Sequence, residues 1–262
     1  MSRRGFLEVC SLGLLNGVAL ACSPRSASTP APATGRAERR KIEAICFDLF
    51  TIFDPRSVVR VAERYVPQGA SELCAEWRSR QFQYSWLRVA SAQYLDFETT
   101  TLDALSYAEA ARGITLSAEA RQALVAAYSE LEPWPDTRDA LAAWKAAGIR
   151  LAPLSNYTPA MLERLMANAG LTPFFELLIS THPARTFKPD PRAYALGVQQ
   201  LGLPREAIAF AAFGGWDAAG AKWFGFPTFW VNRLGVPAER LAPGADATGP
   251  TLAELGAFVT AG

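Results

Sequence analysis

The run Ala44-Ile45-Cys46-Phe47 is apolar at every position and ends directly in a carboxylate, Asp48, with Thr51 and Asp54 close behind. Consecutive apolar residues without alternation read as a strand buried on both faces. Such a strand belongs inside an α/β sheet, where ligands bind beyond the carboxyl ends of the strands. Asp48 stands at that end. A carboxylate there can serve as nucleophile, metal ligand or acid/base group, or it can merely shape a turn. The rest of the chain weighs between these readings.

From Ser57 to about Leu131 apolar residues recur every three or four positions, which predicts a helical segment. Leu73, Trp77, Tyr84 and Leu87 share one broad face of its long helix, and Arg78, Phe82 and Ser85 form a neighbouring stripe. After Trp134 the chain alternates. Asp136 is placed to cap a helix that Gly148 closes, Ile149–Leu154 reads as a strand running into Ser155-Asn156, and Thr158-Pro159 reads as an N-cap and first helical residue. Leu177–Ser180 is a short strand. Lys188 precedes a second cap-and-proline pair, Asp190-Pro191, with Tyr194 in the first turn. Ile208–Phe213 is a strand ending in Gly214-Gly215-Trp216-Asp217, followed by a short helix around Ala218–Phe224 and a strand at Thr228–Val231. This alternation predicts an α/β fold. A doubly wound parallel sheet, residues 41–56 and 133–262, carries a helical cap, residues 57–132, inserted after the first strand.

The first forty residues read differently. Ser2-Arg3-Arg4-Gly5-Phe6-Leu7, followed by an apolar run to Ala21, resembles a twin-arginine export signal spanning residues 1–22. That run is too short and too rich in small residues for a membrane span. Cys22, behind Val18-Ala19-Leu20-Ala21, is a candidate lipid-attachment cysteine. Residues 23–40, rich in Ser, Pro, Ala and Thr, read as a disordered tether. The expectation is an exported, periplasmic protein that meets a membrane only through a lipid on Cys22.

Composition removes several functions. A net charge of +1, with no basic stripe interleaved with aromatics, gives nucleic-acid binding no support. The single histidine, His182, supplies no Ser-His-Asp triad and no His-rich metal site, and reads as a loop residue. The four cysteines have no metal-binding spacing, and Cys46 reads as a small core residue.

Asp48, Ser155-Asn156, Lys188 and Asp217 each fall at or just past a strand end or at a helix start, so a parallel sheet brings them to one edge. At these positions the chain resembles the haloacid dehalogenase superfamily, whose four motifs correspond to Asp48 with Thr51, Ser155-Asn156, Lys188-Pro189-Asp190-Pro191-Arg192-Ala193-Tyr194, and Trp216-Asp217-Ala218-Ala219-Gly220-Ala221-Lys222. Within it, Trp77-Arg78, Gln81 and Tyr84-Ser85-Trp86-Leu87-Arg88 resemble the cap of the L-2-haloacid dehalogenases. The resemblance covers about residues 42–235.

The resemblance implies a metal-independent hydrolase with no cofactor, acting on a short 2-haloacid and water. A magnesium phosphatase of the superfamily needs a second aspartate where this chain has Phe50, and further ligands where it has Gly214-Gly215-Trp216. The implied roles are Asp48 as nucleophile, Lys188 to keep it ionised, and Thr51 and Asp217 to hold both in register. Ser155 takes the substrate carboxylate, while Arg78 and Asn156 receive the halide. Phe50, Phe82, Phe97 and Trp216 wall the pocket, Tyr194 supports it, and a homodimer is implied.

Three departures stand out. The family's glycine between the aromatic and the threonine of the first motif is missing, so Phe50 abuts Thr51. The serine and asparagine ahead of the last aspartate are Ala212 and Gly214, and Tyr157 follows Asn156 where a small residue is common. These leave two alternatives beside the dehalogenase: a phosphatase-like hydrolase on the same scaffold, and an exported small-carboxylate binder with impaired catalysis.

Overall fold

β1, Ala44–Phe47, is buried at every residue, as its unalternating apolar run requires. The structure, a computed structural model, describes residues 41–260. A one-turn helix α1 (Leu49–Ile52) and a two-residue strand β2 (Phe53–Asp54) follow β1. The chain then leaves the sheet for four helices: α2 (Ser57–Ala62), α3 (Ala70–Ala90), α4 (Phe97–Arg112) and α5 (Ala118–Ala126). It returns through β3 (Glu132–Pro133), which pairs antiparallel with β2 at the base of this insertion.

From there helices and strands alternate. They are α6 (Thr137–Ala146), β4 (Arg150–Ser155), α7 (Pro159–Asn168), β5 (Ile179–Ser180), α8 (Pro191–Leu201), β6 (Ile208–Ala212), α9 (Gly215–Phe224), β7 (Thr228–Val231), β8 (Ala247–Gly249) and α10 (Leu252–Thr260). Six strands form one parallel sheet in the order β5-β4-β1-β6-β7-β8. β1 therefore has β4 on one side, with Phe47 opposite Pro153, and β6 on the other, with Phe47 opposite Ala211. The chain order reverses at β1, the place where such sheets open a crevice.

Both faces of the sheet are covered. Ile45 and Phe47 point into a core shared with Leu141 and Trp144 of α6, Leu162 and Leu165 of α7, and Leu252 and Leu255 of α10. Ala44 and Cys46 point the other way, into a core with Tyr194 and Leu201 of α8 and Ala218 and Ala221 of α9. Leu73 and Trp77 of α3 and Leu105 of α4 belong to the first core, so the inserted helices share their packing with the sheet. Trp77 also donates its indole N–H to the Thr101 carbonyl at 2.8 Å, which fixes α3 against α4. The expected α/β fold with a parallel sheet is the fold observed.

Local signals were mostly sound. Thr158 and Asp190 cap α7 and α8 through their side chains, and Gly148, at φ 76°, follows α6. Corrections fall where long-range partners intervene. Asp136 does not cap α6 with its side chain. Its carboxylate accepts the Arg233 guanidinium at 2.8 Å and the Leu252 amide at 3.0 Å instead. Leu87, expected on the buried face of α3, is 64% exposed because that end of the helix runs past the core. The strand expected at Leu177–Ser180 pairs only at Ile179–Ser180, and α9 starts at Gly215, three residues earlier than expected. The expected export signal, tether and Cys22 lie outside the described residues. Among the described residues no helix is long and apolar enough to cross a membrane.

Candidate active site

β1, β4 and β6 end side by side, and their ends deliver Asp48, Ser155-Asn156 and Gly214 to one edge. The Asp48 amide donates to the Ala211 carbonyl at 2.9 Å, which ties the aspartate to β6. Its side chain caps α1: Oδ1 accepts the Phe50 amide at 2.9 Å. Oδ2 faces Lys188, whose Nζ lies 2.6 Å away. The same ammonium donates to Asp217 Oδ2 at 2.8 Å, and Tyr194 donates its hydroxyl to Asp217 Oδ1 at 2.7 Å.

These charges are out of water. Lys188 is 1% exposed and Asp217 is 0% exposed. Burial pulls the Lys188 ammonium down, but the Asp217 and Asp48 carboxylates outweigh it and hold the amine above its usual range. Asp217 is pushed up to about 6: burial and the Asp48 charge raise it, against the pull of Lys188 and the Tyr194 hydroxyl. One cation thus serves two carboxylates.

Above Asp48 lies a cavity of about 40 Å³. Asp48, Lys188, Ser155 and Asn156 line its sheet side; Arg78, Gln81, Phe82 and Phe97 come from the inserted helices. The Arg78 guanidinium lies 5.3 Å from the centroid of Phe50 and 5.5 Å from those of Phe82 and Phe213. Among the described residues no carboxylate forms an ion pair with it. Burial draws its pKa below the ordinary value, against the opposite influence of Tyr128, Asp48 and Tyr157. Guanidinium nevertheless stays charged at any working pH. The cavity therefore holds an unpaired cation opposite a carboxylate.

Most of the expected site residues converge, with differences in detail. Phe50, Phe82, Phe97 and Trp216 all line the cavity. Phe82 meets the Trp216 ring edge-on at 5.3 Å, and Phe50 meets Phe213 at 5.7 Å. The Ser155 hydroxyl oxygen accepts the Tyr157 amide at 3.0 Å, so its proton is left to donate. Asn156 Oδ1 accepts the Lys188 amide at 2.9 Å, which leaves the Nδ2 donors. Asp217 and Tyr194 stand behind Lys188 and do not line the cavity. Tyr194, grouped with the pocket residues in the sequence, is a buried support for Asp217 and forms no part of the cavity wall.

Thr51 also differs. The turn after Asp48 closes into α1, and the Thr51 hydroxyl donates to the Asp48 carbonyl at 2.6 Å, not toward Lys188. It holds the main chain of Asp48 and leaves its carboxylate to Phe50 and Lys188.

Gly214 has a steric reason. A Cβ there would sit 2.7 Å from Trp216 Nε1, so the indole occupies the space a side chain would need. Gln81 and Phe213 line the cavity although the sequence reading gave them no role there. A buried Gln three residues after Arg78, on the same helical stripe, was the signal for the first.

The donor set fits a lysine better than a divalent cation. Magnesium takes about six oxygens, and here the two carboxylates already share the Lys188 ammonium. Among the described residues no group of three or more His, Cys, Asp and Glu side chains is assembled to hold a metal.

Comparison with known proteins places this geometry. Residues 42–225 match the family of haloacid dehalogenase-like hydrolases. The chain is 40% identical over 206 residues to an (S)-2-haloacid dehalogenase of Pseudomonas sp. (strain YL), covering 78% of this chain and 89% of that one. It is 38% identical over 214 residues to haloacetate dehalogenase H-2 of Moraxella sp. (strain B), covering 81% and 96%. The L-2-haloacid dehalogenase of Xanthobacter autotrophicus with chloropropionic acid covalently bound superposes with a TM-score of 0.78 at 34% identity, covering 84% of this chain and 98% of that one.

Proposed function

The chain belongs to the haloacid dehalogenase-like hydrolases, alongside the (S)-2-haloacid dehalogenases, and from that premise we propose that it hydrolyses short L-2-haloacids to 2-hydroxy acids without a metal. The observation that carries this reading is the Asp48 carboxylate, held by Lys188 at 2.6 Å and the Phe50 amide at 2.9 Å, facing an unpaired Arg78 across a small aromatic cavity.

The chemistry follows from that polarity. The substrate carboxylate binds at the Ser155 hydroxyl. An Asp48 oxygen forms a bond to C2 as the C2–halogen bond breaks, and the halogen leaves with the electron pair toward Arg78 and the Asn156 Nδ2 donors. Charge grows on the halide in the transition state, so a fixed guanidinium facing it is worth more there than in the ground state. Phe50, Phe82, Phe97 and Trp216 keep water from C2, which strengthens each charge contact. Water then adds to the Asp48 ester carbonyl, one oxygen stays on Asp48, and a 2-hydroxy acid of inverted configuration leaves. The cycle releases one halide and one proton. The residues 57–132 act as the cap that closes the cavity.

Halide release from L-2-chloropropionate and chloroacetate, in the presence of chelator and with Asp48→Asn as control, tests the proposal. Release in the wild type and none in the control is expected. Mass spectrometry after rapid quenching is expected to find the ester on Asp48, because Ala212 and Gly214 offer the hydrolytic water no polar side chain. Release from neither acid, by a folded protein without a mass shift, overturns it.

We further propose that residues 1–40 act as a twin-arginine export signal and tether, with Cys22 as the lipid site, and that the mature protein is a homodimer. The Arg3-Arg4 pair, the short apolar run and the small residues before Cys22 support the first part. Cell fractionation with and without Arg3→Lys/Arg4→Lys decides it.

A further inference from the structure

Tyr157 belongs to the core by its ring, but its hydroxyl is accounted for neither by the dehalogenase scheme nor by the packing. Its ring is fully ordered by neighbours: it stacks on Phe97 with centroids 4.9 Å apart and meets Tyr128 edge-on at 6.3 Å. Its main chain is equally fixed, donating to Ser155 Oγ at 3.0 Å and accepting from Ser180 Oγ at 2.6 Å. The side chain is 2% exposed, yet its hydroxyl has no hydrogen-bond partner among the described residues. A buried hydroxyl without a partner is a standing cost to the fold, which a bound acceptor relieves.

The phenol keeps its proton. Burial, Tyr128 and the Asp48 carboxylate push it well above its ordinary value, against the pull of Arg78. It is therefore a donor, and what it lacks is an acceptor. Tyr157 lines the same cavity as Asp48 and Arg78. Its ring is packed against Phe97, the first residue of α4, and Tyr128, just past α5, both in the inserted segment that also carries Arg78. In an in-line displacement the leaving halogen sits on the side away from Asp48, which is the Arg78 side.

Resting on the dehalogenase reading, we infer that Tyr157 is a specificity-determining residue: its hydroxyl donates to the departing halide beside Arg78, and its ring limits the length of the acid that the cavity admits. The second part follows from size. The ring of Tyr157 forms part of the cavity wall where the family's pattern has a small residue, so it takes up space that a longer acid would need.

The test uses the full chain, Tyr157→Phe and Tyr157→Ala. Chloride accepts a hydrogen bond more strongly than bromide, so a donor to the halide matters more for the chloro acid. Tyr157→Phe is expected to lower kcat/KM about 10- to 100-fold for chloroacetate, and clearly less for bromoacetate. Tyr157→Ala is expected to raise kcat/KM for 2-bromohexanoate relative to bromoacetate by about tenfold or more. Bromide binding, read from the line width of its NMR signal and displaced by chloroacetate, needs no turnover and is expected to weaken in Tyr157→Phe. Equal losses for the chloro and bromo acids, with the bromide signal unchanged, overturn the hydroxyl's role; wild-type turnover of 2-bromohexanoate as fast as bromoacetate overturns the ring's. A wild type that releases no halide but binds bromide through Tyr157 leaves the halide contact standing and removes the dehalogenase reading instead.

Discussion

Replacing Lys188 by Met keeps the length of the side chain and removes the one cation that Asp48 and Asp217 share. In the wild type, Asp217 has already been pushed from 3.8 to about 6, with Lys188 pulling against the shift. At about 1.4 kcal/mol per pH unit, keeping Asp217 ionised above pH 6 costs about 3 kcal/mol relative to its neutral form. Because the folded value lies above the unfolded one, the stability due to this carboxyl is full below pH 3.8 and is lost as the pH rises through about 6. Lys188 is also raised above its ordinary 10.5, so its contribution is full below that value and is lost only at higher pH. In Lys188→Met the pull on Asp217 is gone, and its carboxyl takes up a proton near neutrality. Breaking a buried pair costs about 3–5 kcal/mol when the remaining charge cannot escape, and protonation is the escape.

The expected loss is therefore about 3 kcal/mol or more at pH 8, shrinking to about 1 kcal/mol at pH 5. Urea unfolding followed by tryptophan fluorescence at pH 5, 6, 7 and 8 measures it, provided the slopes match those of the wild type. Halide release is expected to fall by about 100- to 1,000-fold at every pH, because Asp48 loses its charge partner. A loss that stays constant from pH 5 to pH 8 would refute the argument: Asp217 would then not be the group whose ionisation Lys188 sustains.

Two further substitutions probe the shell around Asp48. Gly214→Ala places a Cβ 2.7 Å from Trp216 Nε1, so the indole must shift against Phe82 and Trp86; a cost of about 1–3 kcal/mol and an altered near-UV circular dichroism spectrum are expected. Arg233→Gln removes the fork that joins Asp136 to the Thr51 carbonyl, at 2.8 Å on each side, and so unties α1 from the C-terminal segment. A stability loss of about 1–2 kcal/mol is expected in chemical denaturation, since Asp136 is partly exposed, together with a lower kcat as the Asp48 turn loosens.

What the sequence made legible was local or periodic. Ala44–Phe47 announced a central strand because a residue buried on both faces must be apolar, and Thr158-Pro159 and Asp190-Pro191 announced helix starts because the cap bonds span only two or three residues. Asp136 had the same capping chemistry, but Arg233, 97 residues away, competes for its carboxylate, and no local pattern reports that. β2 and β3 have two residues each, too few for a period, and they became visible only as a pair. β8 and α10 follow a stretch rich in Gly, Pro and Ala whose turns hide the resumption of the sheet. Thr51 could be placed near Asp48, but its bond to the Asp48 carbonyl depends on the one-turn helix α1, which is too short to show a period.

The same comparison explains why the site is uneven. For the displacement step each group is present: Asp48 is oriented by two donors, Arg78 is free, and the Asn156 amide is fixed by its own carbonyl oxygen. For the hydrolytic step, the polar side chains of the family's pattern are replaced by Ala212 and Gly214. The glycine is not an independent loss, because Trp216 fills the volume in which a side chain at 214 would stand. That indole in turn packs edge-on against Phe82 and Trp86, closing the wall that keeps water from C2. Dryness at carbon and a polar handle for the attacking water compete here for one space, and this chain gives the space to dryness. The water then finds no polar side chain at 212 or 214 to orient it. The expected consequence is that Asp48 is esterified faster than its ester is hydrolysed, so that the ester accumulates during turnover, which rapid quenching reads.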